Sequence, residues 1–179
     1  MNISIQNDTF LKSTIRDVPD FPKPGIIFKD ITTLTGNDKA FTIACSQMAQ
    51  LCKPLNPSKI LGIESRGFIF ASTIAYILNI GFVPIRKKGK LPASVIQEEY
   101  QLEYGTDILE IHKDALSVSD KVIIVDDVLA TGGTMLASLN LVKKLNATTI
   151  AACFLVELTF LNGKDKLPAS QQLISLLKY

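Results

Sequence analysis

Two adjacent carboxylates, Asp126 and Asp127, follow the apolar run Val122-Ile-Ile-Val125 and precede Ala130-Thr131-Gly132-Gly133-Thr134. A buried strand seldom ends in two carboxylates without partners, because neither gives up its hydration willingly. The vicinal hydroxyls of a ribose, or a hydrated magnesium ion, would satisfy them. Paired glycines let the backbone approach a ligand closely. Free amides at a helix start, with the Thr131 and Thr134 hydroxyls, make a cradle suited to a phosphate. The composite therefore reads a phosphorylated sugar: carboxylates for its hydroxyls, amides for its phosphate. The plainer alternative is a strand, a turn and a capped helix with no ligand.

Other residues of the right types lie elsewhere. Gly62-Ile-Glu-Ser-Arg-Gly67 has the glycine spacing of a nucleotide-binding P-loop. Phe68-Ile69 follow where that motif needs Lys-Ser/Thr, so an ATPase is excluded. A strand-to-helix turn whose amides and Arg66 grip pyrophosphate fits better, since a guanidinium can hold two phosphate oxygens at once. Arg86, Lys87, Lys88 and Lys90 form the densest basic run. Alone, it is as consistent with a solvated turn as with an anion site. No aromatic platform is interleaved with it, which disfavours nucleic acid. His112, the only histidine, has no serine or cysteine motif beside it and is read as structural or solvated.

These residues need a frame that holds them at one end of a sheet. Lys59–Ile63 reads as a strand, 68–79 as a helix and Phe82–Ile85 as a strand. Further on, Lys121–Val125 is an apolar strand, 133–145 a helix and 148–156 another apolar strand. Strands apolar throughout are buried on both faces, the pattern of a mostly parallel sheet flanked by helices. Ligands of such sheets sit beyond the carboxyl ends of the strands. Residues 87–108 are polar and basic without a strong period, an excursion or hairpin of the kind that serves as a lid. Residues 7–16 form a short helix, and 17–25, with three prolines, an ordered loop. Asn37 or Asp38 caps a helix with Phe41, Cys45, Met48 and Leu51 on one face, ended by Pro54–Pro57. Gln171–Leu177 is a candidate final strand, and Leu161–Tyr179 otherwise carries no clear pattern.

Composition closes off several classes. With 179 residues, 47% hydrophobic and 20% charged, the chain is long enough for one well-cored domain. A net charge of +2 is too small to argue for nucleic acid. Cys45, Cys52 and Cys153 with one histidine supply no Cys/His metal site and are expected to be reduced, structural and cytoplasmic. The uncharged stretch Gly67–Ile85 is interrupted by Asn79, Gly81 and Pro84 and is expected to be a helix and a strand rather than a membrane span.

Residues 122–134 resemble the phosphoribosyl pyrophosphate (PRPP) signature of the type I phosphoribosyltransferases. Further stretches narrow the resemblance to the adenine phosphoribosyltransferases. They are Pro19-Asp-Phe-Pro-Lys-Pro-Gly-Ile-Ile-Phe-Lys-Asp30, Glu64-Ser-Arg-Gly-Phe68, Arg86-Lys-Lys-Gly-Lys-Leu-Pro92, Leu102-Glu-Tyr-Gly-Thr-Asp107 and a helix-like Leu109–Leu116. The resemblance covers about residues 15–160. It implies the type I fold, α/β with a mostly parallel central sheet, in a single domain over 1–179. Within that domain lie a base-recognition hood at 17–34, a flexible loop at 87–108 and the PRPP motif at 122–134.

The implied reaction is transfer of the 5-phosphoribosyl group from PRPP to adenine, giving AMP and diphosphate, a pentosyl transfer of purine salvage. Asp126 and Asp127 would hold the ribose, and Ala130, Thr131, Gly132, Gly133 and Thr134 the 5′-phosphate. Glu64, Ser65, Arg66, Arg86, Lys87 and Lys90 would face pyrophosphate, in part across a homodimer interface. Phe28 could stack on a flat purine while main-chain groups of Ile27 and Lys29 read its edge. Many relatives carry arginine where Lys29 stands, and an ammonium is not planar. Glu103, beside Tyr104, is the implied acid/base toward the purine ring; composition alone would leave it a surface glutamate. Magnesium is expected to arrive on PRPP rather than on protein ligands, and neither nucleic acid nor a membrane is expected as a partner. Two other readings stay open: transfer to a different purine or a pyrimidine, and a regulator that senses PRPP and binds nucleic acid. The second finds no room for an added DNA-binding segment ahead of residue 17.

Overall fold

A computed structural model describes residues 3–101 and 105–179. The chain divides into two compact units, Met1–Gln47 and Met48–Tyr179.

In the first unit, helix α1 (Ile3–Thr14) starts earlier than expected and ends as Ser13 and Thr14 hydroxyls donate back to the Phe10 and Leu11 carbonyls. The proline-rich stretch is only partly a loop. Strand β1 (Arg16–Pro19) runs antiparallel to β2 (Ile27–Asp30), with Pro19 at the strand end, where a missing amide is tolerated. The connection turns on Asp20, at φ 57°, whose Oδ1 accepts from the Gly25 amide at 2.7 Å. Helix α2 (Thr32–Thr35) is a single turn. Helix α3 (Asp38–Cys52), whose last turn belongs to the second unit, is capped by Asn37, whose Oδ1 accepts from the Ala40 amide at 2.9 Å. Cys45 and Met48 are buried as expected, but Leu51 is 46% exposed and Cys52 is the buried residue. The spacing 41, 45, 48, 52 follows the 3.6-residue period, which Leu51 leaves by about 100°.

The second unit is built on a seven-stranded sheet. Its strands are β3 (Lys59–Ile63), β4 (Gly81–Lys87), β5 (Val95–Gln101), β6 (Thr106–His112), β7 (Lys121–Leu129), β8 (Thr148–Glu157) and β9 (Leu173–Lys178), in the order β5-β6-β4-β3-β7-β8-β9. The strands from β4 to β9 pair in parallel, while β5 and β6 add an antiparallel edge. Val122 to Val125 are fully buried, as a strand covered on both faces requires. Helix α4 (Gly67–Leu78) packs on the face of Gly62, where a methyl group would strike Ala71, Phe82 and Phe68. Helix α5 (Gly133–Lys144) joins Leu61, Ile63 and Ile124 in the core of the opposite face through Met135, Leu139 and Val142.

The excursion is the hairpin that the sequence offered, with β5 paired to β6. One expectation changes here: the helix-like Leu109–Leu116 stretch is strand as far as His112. Leu109, His112 and Leu116 have helical spacing, but Leu109 and Ile111 also alternate, and pairing with β5 and β4 decides the outcome. The tail forms two 3₁₀ turns, Thr159–Leu161 and Gly163–Lys166, before β9 completes the sheet close to the expected position. Among the described residues, no helix is long and apolar enough to cross a membrane. Cys45, Cys52 and Cys153 are buried and form no disulfide among the described residues.

Candidate active site

Strand β7 stays paired with β8 beyond Val125, as far as Leu129. Asp126 and Asp127 therefore stand inside the strand rather than after it, and their side chains leave on opposite faces. The turn after β3 closes over Asp126. A methyl group on Gly67 would lie 2.7 Å from Asp126 Oδ1 and 2.9 Å from the Val125 carbonyl, so only glycine fits. That approach brings Arg66 Nε to 2.9 Å from Asp127 Oδ2. Asp126 Oδ1 also accepts from the Asp127 amide at 2.9 Å. Asp127 is 4% exposed, and Arg66 meets its buried Oδ2 as an ion pair without the alignment of a hydrogen bond. Burial raises both carboxyls above their ordinary value. The neighbouring Asp127 adds to the rise at Asp126, and the Arg66 guanidinium opposes it at Asp127.

After β7, Gly132 turns the chain at φ 81° and opens α5, with its carbonyl accepting from the Leu136 amide at 3.0 Å. The amides that follow begin the helix and have no earlier turn to pair with. The Ala130–Thr134 segment thus lies where the sequence placed it, directly beyond the strand that carries the two carboxylates.

The basic run does not act as one patch. Glu64 accepts from Arg86 Nε at 3.2 Å and Nη2 at 3.1 Å, and from the Lys87 amide at 3.0 Å. Burial disfavours ionised Glu64, but Arg86 and the Lys87 amide outweigh it and hold the carboxyl below its ordinary value. Glu64 is thereby the residue that aims Arg86. Lys87 instead pairs with Asp107 at 2.9 Å, and Tyr100 Oη donates to the same Asp107 Oδ2 at 3.4 Å. Lys88 and Lys90 are exposed. Buried Glu110 shapes their turn, accepting from the Gly89 amide at 2.9 Å and from Gln97 Nε2 at 2.7 Å. Asp107, Tyr100 and Glu110 were not anticipated as site residues. Asp107 closes the Leu102–Asp107 motif, which was the available signal; Tyr100 and Glu110 become visible only once β5, β6 and β4 are paired. The Glu64–Ser65 peptide is cis.

In the first unit, Phe28 meets Phe21 edge-to-face with centroids 5.1 Å apart, Lys29 Nζ lies 2.6 Å from Asp17, and Ile27 is 54% exposed. Glu103 and Tyr104 lie outside the described residues. His112 Nε2 accepts from the Ala93 amide at 3.4 Å, a structural contact.

Residues 37–173 match the phosphoribosyl transferase domain. An adenine phosphoribosyltransferase of Picosynechococcus sp. is 53% identical over 171 residues, covering 94% of this chain and 99% of the relative. The crystal structure of adenine phosphoribosyltransferase from Rhodothermus marinus superposes with a TM-score of 0.92 at 45% identity, covering 98% of this chain and 99% of that one. The Saccharomyces cerevisiae enzyme, complexed with an imino-altritol bisphosphate and adenine, superposes with a TM-score of 0.90 at 37% identity, covering 97% and 99%. A doubly covered parallel sheet with paired carboxylates and a glycine-opened helix at one strand end is thus the frame of a pentosyl-transferring enzyme. The chain belongs to the phosphoribosyltransferase family, and within it to the adenine phosphoribosyltransferases.

Proposed function

We propose that the protein transfers the 5-phosphoribosyl group of PRPP to adenine, releasing diphosphate and AMP. The observation that carries this is the buried Asp126–Asp127 pair, backed by Arg66 and followed directly by the Gly132 turn. Asp126 and Asp127 hold the ribose hydroxyls and lie near the positive charge that develops on the sugar as pyrophosphate departs. Ala130, Thr131, Gly132, Gly133 and Thr134 bind the 5′-phosphate through amides and hydroxyls. Arg66, Arg86 and Lys90 take the leaving group, with Glu64 fixing Arg86, while Lys87 and Ser65 complete that side. Ile27, Phe28 and Lys29 read the base, and the adenine bound by the yeast relative supports that choice. Glu103 exchanges a proton with the purine and Tyr104 flanks it. The 87–108 segment shields the reactants from water.

Phosphoribosyltransferases generally use Mg²⁺ with PRPP. The oxygen donors of Asp126 and Asp127 suit that hard cation, and among the described residues no group of three or more potential ligands exists. Bound, the metal would neutralise pyrophosphate charge, held chiefly by the donor's own oxygens. The protein acts as a cytoplasmic homodimer in this reading. An exposed apolar strip on α4, Ile69, Tyr76 (86% exposed) and Ile77, supports self-association, and three buried cysteines outside any disulfide among the described residues support a reducing compartment.

One assay tests the proposal. Purified protein with PRPP and Mg²⁺ should convert adenine to AMP at least 100-fold more efficiently than hypoxanthine or guanine, because an unpaired buried polar group penalises the wrong base heavily. Comparable use of a 6-oxopurine would refute the base assignment; no turnover of any base would refute the enzyme.

A further inference from the structure

Gly163 is buried although its neighbours Leu161, Asn162, Lys164 and Asp165 are exposed. The reason is what it touches. A methyl group built on Gly163 would overlap the Ala130 carbonyl oxygen and lie 3.0 Å from the Gly132 nitrogen. The contact is reciprocal: a methyl group on Gly132 would overlap the Gly163 carbonyl oxygen. Backbone rests directly on backbone, with no side chain between to absorb a shift.

The segment that carries Gly163 is anchored at both ends. At its start, the Leu158 amide donates to the Leu129 carbonyl at 3.0 Å, and the Thr159 amide donates to the Tyr179 carbonyl at 2.9 Å. At its far end, Leu167 is 8% exposed and belongs to the core cluster that includes Leu129, Met135 and Leu139. A free loop would yield to a contact; a segment pinned on both sides transmits it.

We infer that Gly163 is a positioning residue for the donor site, the second wall that sets where the Ala130–Thr134 amides stand. This rests on the reading of Ala130–Thr134 as the 5′-phosphate cradle. Residues 159–167 touch no substrate. They act by denying the cradle the space into which it would relax, so the amides converge on one phosphate position. A Cβ at residue 163 must push Ala130 and Gly132 outward, which spoils the amide geometry while the sheet beneath stays intact.

The test uses ribose 5-phosphate binding by calorimetry together with steady-state kinetics on wild-type protein, Thr131→Val and Gly163→Ala. The inference expects Gly163→Ala to weaken ribose 5-phosphate binding and raise the PRPP KM by at least 10-fold, with the adenine KM at saturating PRPP within twofold of wild type. A general structural defect would not separate the two substrates in this way. If Thr131→Val weakens binding but folded Gly163→Ala matches wild type, the inference fails and the cradle stands. If neither variant weakens binding, the cradle reading fails and the inference with it. Should Gly163→Ala not fold, Leu167→Ala loosens the same segment without adding a contact. A raised PRPP KM with an unchanged adenine KM then supports the inference, and an unchanged PRPP KM overturns it.

Discussion

Arg66 and Asp127 form one ion pair, yet removing either partner should have opposite effects on stability. Their side chains are 35% and 6% exposed, respectively. Without its partner, Arg66 remains within reach of water, whereas Asp127 becomes a carboxylate in a dry site beside a second carboxylate. Stripping the counter-charge from a buried ion costs several kcal/mol, discounted here because water reaches the arginine side, so Arg66→Gln should lose about 2–3 kcal/mol. Asp127→Asn removes the charge that is costly to bury and relieves Asp126, which should gain about 1 kcal/mol. For a chain of this size each kcal/mol moves Tm by about 2–4 °C. Thermal unfolding without ligand at pH 7 should therefore show Asp127→Asn about 2–4 °C above wild type and Arg66→Gln about 4–12 °C below. The pH dependence has a definite sign. Both carboxyls are raised above 3.8 in the folded protein, so the folded state binds protons more tightly than the unfolded chain. Wild-type stability is thus penalised above the folded pKa, and the penalty fades as pH falls through it toward 3.8. The advantage of Asp127→Asn should shrink over that same window. Meanwhile the variant should lose roughly 10- to 150-fold in kcat/KM for PRPP, the worth of a hydrogen bond to a charged group. If Asp127→Asn melts below wild type at pH 7, or if the two variants shift Tm alike, the assignment of burial and charge at this site is wrong.

Glu64→Gln should leave the fold intact but raise the PRPP KM by about 10-fold, since Arg86 loses its charged fork; initial-rate kinetics at fixed adenine would show it, and an unchanged KM would count against Glu64 as the residue that aims Arg86. Gly67→Ala should cost about 1–3 kcal/mol in urea unfolding and abolish donor use, because its methyl group meets Asp126 Oδ1 and the Val125 carbonyl; wild-type turnover would refute the close approach. Asp30 is held at about 2 by hydrogen bonds from Thr32 and Arg16. Its folded pKa is below the ordinary 3.8, so its contribution is present above 3.8 and lost as pH falls toward 2. Asp30→Asn should lower Tm at pH 7 and lose that deficit near pH 2; a deficit independent of pH would show that charge plays no part.

Much of the donor site was legible in the residues because its signals are local. Apolar Val122–Val125, two carboxylates, two glycines and two threonines follow one another within a short stretch, and each has one evident use. The parallel core was legible for a related reason: strands covered on both faces lose their polar alternation. The edge was not. Leu109–Leu116 carries helical and strand spacing together, and only the antiparallel pairing with β5 resolved it. The division of the basic run was equally hidden, since Arg86 turns to Glu64 and Lys87 to Asp107, partners that nothing in Arg86–Lys90 names.

By itself, then, the sequence determined the chemistry at the end of β7 and the layered frame beneath it, through patterns that neighbouring residues express together. The tertiary structure alone decided which charges pair, how Gly67 brings Arg66 to Asp127, and why Gly163 is buried against Ala130 and Gly132. Those contacts join residues far apart along the chain, where approach is set by the packing of whole elements and leaves no local spacing to read.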